Sequence, residues 1–402
     1  MVRNAQHPQY IAKNQPNLCH FHHLFFRNVT DVASIVDRIA PPSNVLAISL
    51  EERDKMKKIA AAATTLGLAT TSAFAGQIER DGDRTQILFE DGKNYVEVTA
   101  STVHLNVSGT LGPLGSGNIQ ESYQQFSFGY KHQLNEKLAF AVVLNSPVGA
   151  DVFYNPGIAP YPFAGSTATV DSRALTGLAK YQVMDRVSIY GGLRVQALKG
   201  SVFLPPLGNY ALSVEEDYKL GYVLGAAYEI PDIALRVAAT YESKIEHDFR
   251  DNAGTEFDVE IPQAVTLNFQ SGVAANTLVF GSIRWREWTE FNITPPEIGA
   301  PIAFGTSDIW TYELGVGRRF NENWSAAATL GYEQDNNDIV GNLQGTDGYV
   351  SYGLAVKYET ETWELTTGIR YFDIGSTNTT TIGANFADND AIAVGMKLGL
   401  RF

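Results

Sequence analysis

The chain has 402 residues and a formal net charge of −14, and 44% of its residues are hydrophobic and 11% aromatic. So acidic a chain is a poor binder of nucleic acid, because the phosphate backbone repels it. With one cysteine, Cys19, it cannot form an internal disulfide.

The amino-terminal region contains an export signal that begins at Met56 rather than at Met1. Two lysines precede an almost wholly apolar run that ends at Ala69, and residues 73–75 form a small-x-small cleavage site. These are the three parts of a secretory signal peptide in order. We infer that Met56 is the start codon; the alternative is a genuine cytoplasmic extension. The predicted segments are residues 1–55, an overlong and disordered translation, residues 56–75, the signal peptide, and a mature chain from near Gly76.

The rest of the chain has the pattern of membrane-spanning strands. No stretch after Ala75 reaches the roughly 18 consecutive apolar residues that a spanning helix requires. Apolar side chains instead alternate with small or polar ones, most clearly in residues 390–402, as in strands between lipid and a lumen. Only helices and closed barrels satisfy their backbone in lipid, so the exported chain is predicted to be a barrel.

We predict an all-β fold, a transmembrane antiparallel β-barrel of about 14 strands over residues 94–402, preceded by a short hatch, residues 76–93. One opening strand, six hairpins and one closing strand give this even count. The predicted strands are 94–107, 126–130, 138–144, 175–181, 187–198, 218–228, 233–241, 265–270, 277–288, 310–320, 324–332, 352–358, 363–371 and 390–402. The long connections, expected outside the cell, are near 108–121, 147–168, 201–216, 244–258, 289–309, 333–347 and 373–390.

The third predicted strand contains a break. Pro147 cannot donate to the ladder and Gly149 lets the chain turn, so the strand is expected to end after Ser146. The resulting gap would let an apolar molecule leave through the barrel wall into lipid. The alternative is an ordinary strand end that enters a loop.

Three local strings resemble the FadL/TodX family of outer-membrane transporters. They are Ser146-Pro147-Val148-Gly149-Ala150-Asp151, Asn268-Phe269-Gln270-Ser271-Gly272, and Trp285-Arg286-Glu287-Trp288 in the predicted ninth strand. The resemblance spans residues 76–402 and implies a monomeric barrel, plugged by an amino-terminal hatch, that carries long-chain fatty acids or hydrocarbons inward without an energy source. In this family the third strand is kinked inward and opens the wall sideways, which makes Pro147, Gly149 and Asp151 the predicted lateral gate.

The hatch departs from the family pattern. It is shorter than the family's hatches and lacks their usual motif and their apolar amino-terminal opening. A short plug leaves more of the lumen open, so a wider lumen is expected.

Two connections that we expect outside the cell are unusually apolar, residues 158–163 and 202–212. Exposed apolar clusters mark contact sites, and in the FadL/TodX family the loops of the third and fourth strands frame the capture groove. The alternative is that the two loops pack on each other as a lid. The predicted first-contact residues are Tyr161, Phe163, Phe203, Leu204 and Leu207.

The lumen face is predicted to carry several arginines and large aromatic side chains. One arginine is suited to pair with a fatty carboxylate, whereas most are expected to balance interior acids such as Glu229, Glu313 and Glu364. The predicted ligand-binding residues of the lumen are Phe89, Phe153, Phe280, Trp288, Arg236 and Arg284.

Other motif-like strings carry little chemistry. A Cys-His-Phe-His-His run at 19–23 and the acidic runs 335–338 and 388–390 lack a full set of metal ligands. The histidines of the predicted mature chain are not in an evident Ser-His-acid arrangement. We therefore predict no catalytic residues, no metal and no cofactor.

These patterns together predict a channel for passive uptake of hydrophobic molecules in the outer membrane of a Gram-negative bacterium. The alternative is a general diffusion pore for small polar solutes, which the short hatch and small lumen residues favour. The expected partners are the hydrophobic ligand, outer-membrane lipid and lipopolysaccharide, and no nucleic acid; the protein is expected to be a monomer. The barrel assembly machinery is a further expected partner, reading the terminal row of Leu398, Leu400 and Phe402.

Overall fold

The computed structural model describes residues 78–402 of the chain. The predicted overlong translation, the signal peptide, the chain start near Gly76 and the Cys-His run lie outside the described residues. Within 78–402, no helix is long and apolar enough to cross a membrane. The helices of this range are short 3₁₀ turns at Thr85–Phe89, Pro156–Ile158, Pro205–Leu207, Pro231–Ile233 and Trp288–Glu290.

Fourteen antiparallel strands within residues 78–402 close into one barrel, because strands that follow each other in sequence pair in turn and the last pairs with the first. This confirms the predicted fold class. The barrel strands are β1 (Asn94–Asn106), β2 (Tyr123–Asn135), β3 (Leu138–Asn145), β4 (Thr167–Met184), β5 (Val187–Leu204), β6 (Tyr210–Ile230), β7 (Leu235–Glu242), β8 (Ala264–Ala274), β9 (Thr277–Arg286), β10 (Ile309–Arg319), β11 (Trp324–Glu333), β12 (Tyr349–Glu359), β13 (Trp363–Ile374) and β14 (Asn389–Arg401).

The alternation of side chains in β14 shows why these segments form barrel strands. Ile392, Leu400 and the residues between them at even positions are exposed on the outer face, whereas Lys397 on the other face is fully buried. Lipid accepts the apolar row, and the lumen supplies charged partners for the polar row. The same period of two recurs around the barrel.

Connections at the end of the barrel opposite its termini form a layer that we call the external cap. It comprises 107–122, 154–166, 205–209, 243–263, 287–308, 334–348 and 375–388. One five-stranded sheet in the external cap contains strands from three different connections. Two separate two-stranded hairpins complete the strands of this layer. The short strands outside the barrel sheet are Ser108–Leu111, Leu114–Asn118, Ile245–Arg250, Glu256–Ile261, Asn292–Ile293, Ala303–Phe304, Ile339–Val340, Thr377–Thr379 and Asn385–Phe386. A further short strand, Gly149–Phe153, belongs to the barrel sheet, where it continues the third strand beside β4.

Several predicted strand boundaries differ from the structure, and two of the differences bear on the site. The connection expected at 201–216 is largely strand, because β5 and β6 continue their ladder as far as the pair Leu204 and Tyr210. Apolar residues of this extension, such as Val202, are buried beneath the cap, and this burial stabilises strands that leave the membrane. The ninth strand ends at Arg286 rather than at Trp288, which lies in a 3₁₀ turn.

Candidate functional site

An apolar cavity of about 120 Å³ lies between the external cap and the first described residues of the hatch. Its wall includes Val152, Ala168 and Val202, which pair at one level across the short strand Gly149–Phe153, β4 and β5. The external cap contributes Phe249, Phe257, Phe291, Ile302 and Leu343. A mostly apolar enclosure with few polar groups is the usual form of a small-molecule site.

The cap hairpin Ile245–Ile261 supplies much of this apolar wall. Its inner face carries Phe249 and Val259, and the ring of His247 stacks on that of Phe249 with 6.1 Å between centroids. His247 Nδ1 lies 3.1 Å from the Asp217 carboxylate. Burial nevertheless lowers the pKa of His247 below its ordinary value, against the opposing effect of Asp217. The lowered pKa favours the neutral form of His247 at pH 7.

Each charged side chain at the cavity already has a partner of opposite charge. Glu79 accepts a hydrogen bond from Arg284 at 2.6 Å, and Arg80 donates to Asp151 at 2.6 Å. Lys199 lies 3.9 Å from the Asp171 carboxylate on the exposed side of the wall. A carboxylate ligand would have to break one of these pairs, whereas an uncharged ligand would leave them intact.

The lumen next to the cavity is occupied by a network of ion pairs centred on the hatch residue Glu79. Arg284 joins Glu79 to Glu242, with 2.6 Å to each carboxylate. Arg286 lies 2.9 Å from Glu79, and Arg194 lies 2.6 Å from Glu242. Each of these three arginines thus faces at least one of the two carboxylates, and this pairing offsets the cost of burying charge in a low-dielectric interior.

Further along the lumen, the hatch packs against several strands. The aromatic ring of Phe89 meets Tyr190 edge-on at 5.7 Å, and the cationic groups of Lys180 and Arg236 lie 4.3 and 4.6 Å from its centroid. The neighbouring Leu88 is fully buried. The hatch, Tyr190 and these two cations thus pack together at this level of the lumen.

The barrel wall is interrupted where β3 ends at Asn145. Pairing with β4 stops at Asn145 and Ala174 and resumes at Gly149 and Asp171, so three residues of the third strand oppose two of β4. Ser172 stabilises this bulge, because its hydroxyl accepts a hydrogen bond from the backbone of Val148 at 2.9 Å. The strand therefore breaks one residue earlier than predicted.

On the other side of this break, β2 and the third strand separate. Their ladder ends at Phe128 and Leu144, and among the described residues none of 123–127 pairs with the third strand. Contact returns where the Glu121 N–H donates to the Asp151 carbonyl at 2.9 Å. About five residues of β2 edge are thus unpaired, which corresponds to a gap roughly 16 Å long.

The hatch closes this gap from the lumen side. The Arg80 N–H donates to the Pro147 carbonyl at 2.9 Å, and the Gly149 N–H donates to the Ile78 carbonyl at 2.8 Å. Across the gap, the Gln125 side chain donates to the Arg80 carbonyl at 2.7 Å. Residues 78–81 therefore lie along the broken strand and link it to β2.

The apolar loop residues predicted from sequence separate into two groups. Tyr161, Phe163 and Leu204 are buried in the core of the external cap, where Tyr161 stacks on Tyr154 at 5.8 Å. They are therefore not surface contacts for an arriving ligand, because the two loops pack together as a lid. Phe203 and Leu207 are 37% and 49% exposed and are the members of the set that face outward.

The predicted lumen residues do not form one site, because the strand register places them at different levels. Phe280 faces the lumen with Leu278 and Ala327, and Trp288 packs edge-on against Phe291 in the cap. Phe153 is 37% exposed on the outer face, so its assignment to the lumen is wrong by one residue of register. Arg236 and Arg284, like Phe89, lie in the hatch contacts described above.

The cavity residues that sequence reasoning missed are mainly in the cap. Phe249 and Phe257 lie in the connection predicted at 244–258 and Val259 directly follows it, although apolar residues alternate at 245–249 and 257–261. That period of two is the signal of a hairpin. This alternation therefore predicts a hairpin with one apolar face, which lies above the lumen.

The acidic run 335–338 lies in a turn of the external cap. Asp347 accepts backbone hydrogen bonds from Asn336 and Asp338 at 3.3 and 2.8 Å, and burial raises its pKa to about 6. This arrangement orders a turn. Among the described residues, the acids that approach one another within 4.8 Å in a group of three are Glu246, Asp248 and Asp258, all exposed.

A closed and plugged barrel with a lipid-facing exterior and an internal apolar cavity defines the class of the protein: an outer-membrane channel. A family model described as outer membrane protein transport protein (OMPP1/FadL/TodX) matches residues 83–399. The chain belongs to this family of outer-membrane channels for hydrophobic substrates, as the resemblance predicted, and its location is the outer membrane of Gram-negative bacteria.

Solved structures of similar fold share little sequence with this chain. A Pseudomonas aeruginosa FadL homologue is 14% identical, with a TM-score of 0.66 over 80% of this chain and 93% of its own. The Pseudomonas putida toluene transporter TodX is 13% identical, with a TM-score of 0.59 over 84% of this chain and 97% of its own. The Ralstonia pickettii toluene transporter TbuX is 11% identical, with a TM-score of 0.56 over 78% and 90%. No curated protein matches the chain significantly.

Proposed function

We propose that the protein takes up small, uncharged apolar molecules, holds them in the cavity beneath the external cap, and releases them sideways through the gap beside β3. One observation carries this proposal: Arg80, Tyr123 and Gly149 line the cavity and also border the gap. A molecule that leaves the cavity there reaches lipid without crossing the filled lumen. Phe203 and Leu207, exposed near the cap, provide a first apolar surface.

The size and charge of the cavity favour a compact hydrocarbon over a long-chain fatty acid. A dry cavity of about 150 Å³ in another protein accommodates benzene, and the cavity here is about 120 Å³. The charged groups at its edge are paired, so a fatty carboxylate has no free cation to meet. The similarity in fold to toluene transporters also supports an uncharged hydrocarbon as the ligand.

A general pore for polar solutes is the weaker alternative. A polar solute would need a continuous hydrated path, but the level of the lumen beside Glu79 holds ion pairs whose side chains are at most 11% exposed. Buried hatch residues such as Leu88 occupy the adjacent part of the lumen, around Phe89. We therefore expect little steady conductance in planar bilayers.

Deleting Pro147 tests lateral release. The deletion leaves two residues of the third strand opposite two of β4, so the ladder with β4 becomes regular. The straightened strand should then pair with the free edge of β2 and close the gap. In Gram-negative cells that lack their own channel of this class, wild-type protein should accelerate uptake of labelled toluene more than uptake of labelled oleate. The Pro147 deletion should return toluene uptake to the level of cells without the channel.

Deleting Gly383 is the matched control, because this glycine lies in an exposed cap turn with open space around it, in a connection that does not line the cavity. It should leave uptake unchanged. Toluene uptake that survives the Pro147 deletion would refute lateral release. Equal or faster uptake of oleate would refute the preference for uncharged ligands.

The proposed partners beyond the ligand are outer-membrane lipid and lipopolysaccharide around the barrel and the assembly machinery during folding, with the mature protein a monomer. Support for the assembly signal is the terminal row of Leu398 and Leu400, which faces outward and ends on Phe402, 70% exposed. The backbone of Phe402 also exchanges hydrogen bonds with Asn94 at 3.0 and 3.1 Å, at the seam where the barrel closes.

Removing Phe402 should lower the folded fraction in cells, because both the outward aromatic group and the last bonds of the seam are lost. The folded fraction is read as the heat-modifiable band on a gel. Phe402→Ala keeps the backbone bonds and separates the two causes. Normal folding of both variants would show that the terminal residue is no assembly signal.

A further inference from the structure

The side chain of Arg80 lies across the gap in the barrel wall. Its guanidinium is 4.1 Å from the ring centroid of Tyr123 on β2 and 2.6 Å from the Asp151 carboxylate on the third strand. These two residues stand on opposite edges of the unpaired region. A cation over an aromatic face and an ion pair at 2.6 Å are both attractive contacts, so one side chain joins the two edges.

Gly149 makes room for this side chain. A Cβ atom at position 149 would lie 2.5 to 2.7 Å from three atoms of the Arg80 guanidinium group. Contacts this short do not occur, so any larger residue would displace the flexible end of Arg80. The backbone of Gly149 has no left-handed conformation that would by itself require glycine. The glycine is thus explained by the position of Arg80.

We propose that Arg80 is a latch that holds the lateral gap closed, and that its release from Tyr123 and Asp151 controls how fast a ligand leaves the cavity. This inference rests on the proposed function, since a latch matters only where the gap is an exit. Arg80 also lines the cavity, so an arriving ligand touches the latch directly. Asp151 and Gly149 are both predicted from sequence as gate residues. Asp151 supplies the negative charge that pairs with Arg80, and Gly149 leaves the space that the Arg80 guanidinium occupies.

The latch is separate from the rest of the hatch attachment. The backbone of Arg80 is held by Pro147 and Gln125, and neither bond involves the guanidinium. Asn145 additionally donates to Asp81 at 2.7 Å. Removing the side chain of Arg80 should therefore loosen the gap while residues 78–81 remain in place.

Two variants release the latch in different ways. Arg80→Ala removes the guanidinium, and Gly149→Ala displaces it. Each should raise toluene uptake about fivefold, which is the factor that corresponds to losing about 1 kcal/mol of cation–π and ion-pair attraction. The double variant should match Arg80→Ala alone, because Gly149→Ala has nothing left to displace. Arg318→Ala, which removes an exposed arginine that bonds Ala275 and Thr277 at the opposite end of the barrel, is the control.

A second readout does not depend on transport. Ser127 is a buried residue of β2 at the edge of the gap. In a Cys19→Ser background, Ser127→Cys should react slowly with N-ethylmaleimide and about fivefold faster once Arg80→Ala or Gly149→Ala is added. Ser325→Cys, buried on β11 away from the gap, should keep its rate. Heat-modifiability establishes that each variant is folded.

The outcomes are distinct. Faster labelling of the Ser127→Cys side chain in both the Arg80→Ala and the Gly149→Ala variant, without a further increase when the two are combined, supports the latch. Unchanged labelling in folded variants overturns it, whatever the uptake rates are. If labelling accelerates but wild-type cells take up neither toluene nor oleate, the latch stands and the proposed transport function fails.

Discussion

Replacing Ala168 by phenylalanine is expected to lower toluene uptake about tenfold or more. Ala168 lines the cavity at the same level as Val152 and Val202, so a benzyl group there would occupy space that the ligand needs. Little of the cavity of about 120 Å³ would remain for the ligand, and a loss of about 1.4 kcal/mol in binding is a factor of ten. Uptake of labelled toluene by whole cells measures the effect.

Thr167→Phe provides the matched control. Thr167 pairs with Phe153 and Phe203, whose side chains are exposed on the outer face of the same strands. The added ring should point away from the cavity and leave uptake unchanged. Equal losses in the two variants, or no loss with Ala168→Phe, would show that the cavity is not on the transport path.

The second large effect is expected for Lys397→Met. The Lys397 ammonium is fully buried and lies 3.4 Å from Glu90 of the hatch, 3.3 Å from Glu97 of β1 and 4.0 Å from Glu364 of β13. Without it, three buried carboxylates face one another with too few cations. Breaking a buried ion pair by removing one partner costs about 3–5 kcal/mol. Urea unfolding of the protein in detergent micelles should show a loss of this order.

Two further variants sharpen this measurement. Adding Glu97→Gln to Lys397→Met removes one of the unbalanced charges and should recover part of the lost stability. Lys219→Met removes a solvent-exposed partner of Asp248 and should cause no resolvable change, since exposed ion pairs contribute little. Equal stabilities of wild type and Lys397→Met would mean that the buried cluster does not hold the hatch to the barrel.

The barrel was predictable because one physical rule repeats along the sequence. Lipid on one side and a polar lumen on the other impose a period of two, which residues 390–402 display almost without exception. The break near Pro147 was predictable for an equally local reason, since a residue without an N–H cannot continue the ladder. Neither conclusion needed a long-range contact.

The site was less predictable because its residues come together only through long-range packing. The bridge from Arg80 to Asp151 joins residues 71 positions apart, and Arg284 reaches Glu79 over 205 positions. No local period signals such pairs. Phe153 shows the complementary error, in which an extra residue in the third strand reverses the facing of everything after it.

The five-stranded sheet of the external cap has a consequence for exchanging specificity between relatives. Its strands come from the connections β1–β2, β11–β12 and β13–β14, which are distant in sequence. If a chimera receives only one of these connections from another channel, the strands of the other two connections lose their matching hydrogen-bond partners at the edge of the sheet. If the three segments are grafted together, each strand of the sheet keeps its hydrogen-bond partner. The three connections are therefore the smallest part of the external cap that can be transplanted.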